Sequence, residues 1–187
     1  MMQQLDEGST MEPVVNKVAQ SPIKVFNLED LWDGGDVVEF DLAPFLDHGL
    51  ILREKQFRES VKSYDWSNFV GQHVALHCST DAIVPVWAYM LVASRLDGIA
   101  ASSSLGSTED LVRERFAESM ARLDWSAYED AIVVVKGCGS SIVPGSAYVA
   151  VIQRLQQVAR KLMFGEPCSS VPLWRKPAAT QAHKSVG

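Results

Sequence analysis

Apolar and polar residues alternate along this chain with two periods, and the periods take turns. From Val37 to Leu42 apolar positions alternate with acidic ones, the pattern of a strand with one wet face. Phe57, Val61 and Tyr64 then recur at helical spacing within Arg53 to Tyr64. Val74-Ala75-Leu76 is a short apolar run that ends at His77-Cys78. Pro85 stands where a helix favours proline, in its first turn, and opens a segment to about Leu96. That segment is apolar nearly all round, which predicts burial between layers. Ile99 to Leu105 is a weaker strand. Ser107-Thr108-Glu109-Asp110 carries capping chemistry ahead of a helix with Val112, Phe116, Met120 and Leu123 on one face. Ile132 to Val135 is β-branched throughout, as in a strand covered on both sides. Pro144 opens a last helix, striped by Tyr148, Val151, Ile152 and Leu155, and Leu162-Met163-Phe164 closes the series.

The alternation contains a repeat. Shifting the chain by 59 positions lays Leu52–Leu96 on Leu111–Leu155 with 16 identities in 45, against roughly three expected from average residue usage. Asp65-Trp66-Ser67 returns as Asp124-Trp125-Ser126, and Ile83-Val84-Pro85 as Ile142-Val143-Pro144. The expected fold is therefore α/β: a mostly parallel sheet flanked by helices, built from an internal βαβα duplication whose copies form halves of one sheet. Residues 1–12 read as a disordered extension and 175–187 as a disordered tail. A single α/β domain spans 13–174, with repeat units at about 37–96 and 99–155 and a closing strand at about 160–164.

Composition narrows the function classes. A net charge of −6 over 187 residues argues against a nucleic-acid-binding role and against an anionic membrane surface. No run reaches the roughly 20 apolar residues of a spanning helix, and Met-Met-Gln-Gln-Leu-Asp-Glu is not a secretory leader. The expected location is the cytoplasm. Three cysteines, an odd number, do not make a disulfide framework there.

Cys78, Cys138 and Cys168 each follow an expected strand. In one parallel sheet those strand ends share an edge, where open α/β folds bind ligands. Three converging thiolates suit zinc or an iron–sulfur cluster, with Asp81 preferred over His77 or Glu166 as a fourth ligand. Sulfurs bound to one ion lie about 3.5–4 Å apart. Two other readings stand beside this one. Cys138, between glycines and near Lys136, could serve a thiol enzyme or sulfur carrier. Alternatively the cysteines are buried and inert, and the body is a non-catalytic scaffold. Paired carboxylates at catalytic spacing, a G-x-S-x-G elbow and H-E-x-x-H are absent, so the residues do not decide whether this is an enzyme.

Three motifs carry a resemblance. Cys78-Ser79-Thr80-Asp81-Ala82-Ile83-Val84-Pro85 with Trp87-Ala88-Tyr89-Met90 is the first, and Lys136-Gly137-Cys138-Gly139 with Val143-Pro144 and Ala147-Tyr148 the second. The third is Met163-Phe164-Gly165-Glu166-Pro167-Cys168-Ser169 with Val171-Pro172-Leu173, and Val14 to Ala19 is similar to the usual beginning. Together they resemble an uncharacterised bacterial family, domain of unknown function 2480, over about Met11 to Lys176. Genes of that family often neighbour those for iron–sulfur cluster assembly. The resemblance thus implies a role beside iron–sulfur assembly proteins as partners.

Overall fold

A computed structural model describes residues 23–137 and 139–177. The residues expected to be disordered at the amino end, and all but the first three of the carboxyl tail, lie outside them. The strand at the head of the described chain, β1 (Ile23–Asn27), was not expected from the sequence. It is followed by β2 (Val37–Asp41), α1 (Glu54–Ser63), β3 (His73–His77) and α2 (Val86–Leu96). Then come β4 (Ser102–Leu105), α3 (Thr108–Ala121), β5 (Ile132–Lys136), α4 (Gly145–Val158), β6 (Lys161–Glu166) and β7 (Ser169–Arg175).

The strands form two sheets, not one. β2, β3 and β4 make an all-parallel sheet in that order. The other has the order β1-β5-β6-β7, parallel except for the final hairpin. Two expectations are corrected by this pairing. The repeat copies do not share a sheet, and the strand around Ile99 to Leu105 belongs with β3 and not with β5. The reason lies in β1 and β2. Each carries a buried Phe, a polar residue that turns the chain, and a buried Leu: Phe26-Asn27-Leu28 and Phe40-Asp41-Leu42. Each pairs as first strand with its own central strand, β1 with β5 and β2 with β3.

Local chemistry runs in parallel at the entry to both central strands. Asp65 and Asp124 each cap a 3-10 turn, accepting from the backbone N–H of Ser67 and Ser126. The tryptophans that follow donate from Nε1 to Val61 and Met120 carbonyls, at 3.0 and 3.3 Å. The third helix starts with a reciprocal capping box between Ser107 and Asp110.

Two cores result. Phe40, Val74 and Leu76 pack against α1 (Phe57, Val61) and α2 (Ala88, Val92, Leu96). Ala75, between Val74 and Leu76, joins the other core, because successive strand residues face opposite ways. There it meets Leu111, Val112, Phe116 and Met120 of α3, with Val133, Val135 and Leu162 of the larger sheet and Val151 and Leu155 of α4. Helix α3 contacts all three strands of the smaller sheet and also α4, so it is a layer common to both sheets. Helix α2 departs from expectation: one face is buried, but Val86 and Met90 are exposed.

The linker from β1 to β2 is pinned by polar contacts. Fully buried His73 has Nε2 2.8 Å from Asp33 Oδ1 and Nδ1 2.8 Å from Ser102 Oγ. Trp32 packs on the His73 ring and stacks on Phe116. A Cβ on Gly35 would come within 2.7 Å of His73 Nε2. Gly35→Ala must therefore displace a buried, hydrogen-bonded ring. We expect a loss of about 1–3 kcal/mol in urea denaturation.

Candidate functional site

The chemistry-bearing residues gather at the carboxyl ends of the parallel strands, and each sheet has its own set. In the smaller sheet the Asp41 carboxylate accepts from the backbone N–H of Ala43 (2.9 Å) and of Ser79 (3.0 Å) and from the Ser79 hydroxyl (2.6 Å). Burial pushes this carboxyl up, but the bonds from Ser79 and Ala43 outweigh it and hold it below the usual aspartate value. The contacts tie the loop after β2 to the loop after β3. Cys78, half-buried, begins that second loop, its Sγ 3.3 Å from Thr80 Oγ1. Tyr89 of α2 faces the same place: desolvation first, then the neighbouring Cys78 and Asp41, raise its hydroxyl above the ordinary range. Asp81 is exposed and makes no ion pair among the described residues. His77 Nε2 is buried without a hydrogen-bond partner among the described residues; Glu39 Oε2 is 3.6 Å away.

In the larger sheet the ends of β5 and β6 are joined by Lys136 and Glu166, with Nζ 2.9 Å from Oε2. The hydrogen bond to Glu166 raises the lysine above its ordinary value, and Glu29 and Asp30 add to the effect. The ammonium stays charged. Tyr148 of α4 donates its hydroxyl proton to the Gly137 carbonyl. Gly137 has φ +150°, and a Cβ there would lie 2.9 Å from the Tyr148 oxygen, so the close approach requires glycine. Cys168 is exposed in the turn between β6 and β7. Cys138 lies outside the described residues.

The single strand edge expected for the three cysteines is not what the fold provides. Cys78 follows a strand of one sheet, and Cys168 sits in the terminal hairpin of the other. Cys168 follows the end of β6, the strand that pairs with β5. Among the described residues, no three His, Cys, Asp or Glu side chains are grouped closely enough to hold a metal ion. Asp41, Glu29 and Asp30 were not singled out in the sequence. The recurrence of Phe-polar-Leu at 26–28 and 40–42 was the available signal, since it marks both first strands and the turns after them.

The chain belongs to the family described as a protein of unknown function (DUF2480), which it matches over residues 12–176. No curated protein and no solved structure matches it significantly. None of the helices among the described residues is long and apolar enough to cross a membrane.

The depressed pKa of Asp41 fixes the sign of a pH effect. Its contribution is complete above the unfolded value, near 3.9, and disappears as pH falls through the lower folded value. Asp41→Ala should cost about 1–2 kcal/mol at pH 7, after discounting for partial exposure. The difference from the parent protein should shrink below about pH 4. Thermal unfolding of both proteins across that range measures it.

Proposed function

We propose that this is a metal- or iron–sulfur-handling accessory protein whose thiol ligands come from Cys138 and Cys168, with Cys78 and Asp81 as further donors. One observation carries the reading: the Lys136–Glu166 contact, which joins the strand ends that lead into residue 138 and Cys168. Thiolates are the ligands that soft metals such as zinc and iron favour. The partners are iron–sulfur assembly proteins, and the setting is the reducing cytoplasm, where unpaired cysteines stay available.

The reading includes an internal duplication in which each copy provides one cysteine loop. Its support is the 59-residue shift itself, which carries β3 onto β5, α2 onto the start of α4, and the Trp66 hydrogen bond onto that of Trp125.

Purification under anaerobic, reducing conditions, with elemental analysis and an absorption spectrum, tests the proposal. The expected result is about one zinc ion or one coloured cluster per chain. Cys138→Ser and Cys168→Ser should each remove at least half of the metal. Colourless protein that takes up neither zinc nor iron with sulfide overturns the reading. If such protein also carries a thiol that reacts at neutral pH, the cysteine-enzyme alternative replaces it.

A further inference from the structure

We infer that the end of the larger sheet farthest from Cys168 is a binding site for a small polyanion of the diphosphate class. Lys161 at the start of β6 stands directly opposite Arg175 at the end of β7 in the antiparallel ladder. Like charges in that position oppose the pairing they sit on. Arg160 precedes Lys161 and Lys176 follows Arg175, and the Lys176 N–H donates to the Arg160 carbonyl at 2.9 Å. The hairpin is thus extended by one step with cations on both sides. Four basic residues share one end of one hairpin.

None of the four makes an ion pair among the described residues, although Arg53, Arg58, Arg113, Arg115 and Arg122 each meet a carboxylate. The nearest carboxylates along the adjoining segment, Glu129 and Asp130, are in no ion pair with them. Ala131 serves this corner through the backbone instead: its carbonyl accepts from the N–H of Arg160 (2.8 Å) and of Lys161 (3.3 Å). The fold therefore gathers positive charge that no carboxylate among the described residues pairs with, in a chain whose net charge is −6.

Arg160, Lys161 and Arg175 line a cleft of about 380 Å³ floored by Ile132. Guanidinium groups offer paired N–H donors that match two oxygens of one phosphate, and the lysine adds a point charge. A bound diphosphate neutralises the repulsion between Lys161 and Arg175. The volume suits a small molecule. An extended polymer of phosphates would have to find further cations beyond these four in a chain whose net charge is −6. The site lies at the other end of β6 from the cysteine turn, so it stands or falls independently of the thiol reading.

Isothermal titration of the full chain at low salt, with inorganic pyrophosphate in one arm and ADP in the other, tests this. Saturable one-site binding of pyrophosphate is expected. Tighter binding of ADP assigns the site to a nucleotide, and equal binding assigns it to the bare diphosphate. Lys161→Ala and Arg175→Ala should each weaken binding about tenfold or more, as loss of a charge-assisted contact requires, while Arg122→Ala leaves it unchanged. The unliganded Lys161→Ala protein should melt no lower than the parent, since it relieves a like-charge pair. Absence of binding in both arms overturns the inference. So does binding insensitive to both substitutions, or a single-stranded oligonucleotide that binds more tightly than pyrophosphate.

Discussion

The structure depends on one helix buried from two directions. Helix α3 presents Leu111, Val112, Phe116 and Met120 to a core that includes Ala75 of the smaller sheet and Val133 and Val135 of the larger one. A sheet strand buries both faces only if each finds a cover, and β3 finds α1 and α2 on one side and α3 on the other. Loss of α3 would expose both sheets at once. Its amino end is fixed by the Ser107–Asp110 capping box. Near its middle, Phe116 stacks on Trp32 and Arg115 lies 3.9 Å from Asp33, both from the linker between β1 and β2.

Because α3 holds the two sheets as one body, each sheet keeps its own edge of parallel strand ends. Those edges are solved with different chemistry. At the smaller sheet, Asp41 clamps two loops together through neutral donors, leaving Cys78 beside hydroxyl groups of Thr80 and Tyr89. At the larger sheet, a lysine and a glutamate bridge neighbouring strand ends, with Glu29 and Asp30 nearby. A thiol next to the first set sees hydrogen-bonding groups and a fixed carboxylate. One next to the second sees an ion pair with two more carboxylates near it.

Much of the fold was legible in the sequence where a single period ran long enough. The helices α1, α3 and α4 and the strands β3, β5 and β6 fall where periodicity, capping residues and prolines put them. The failures have local causes. β1 shows only Ile23, Val25 and Phe26 as apolar signals, too short a run to mark a strand, and its identity as a strand comes from β5, far along the chain. β7 contains Pro172 and exposed Val171 and Leu173, which weaken alternation; pairing with β6, past an irregularity at Leu162/Met163, makes it a strand. The smooth apolar surface of α2 suggested a buried helix, yet Met90 is 66% exposed, since composition does not state which face meets a layer. The candidate cysteine loops were legible as loops after strands. Which strands are neighbours was not, because pairing partners are chosen by tertiary contacts.

The order of strands in the larger sheet has a consequence for how the chain assembles. β1 leaves the ribosome before any of the smaller sheet, but its one partner among the described strands is β5, which is made after the smaller sheet is complete. The smaller sheet joins segments close in sequence and closes short loops, whereas β1 must wait for a long one. The nested unit can therefore collapse while the first strand is still unpaired. A bare edge strand is a template for pairing with other chains until its proper neighbour arrives. Between those two events β1 is the strand that waits without its neighbour.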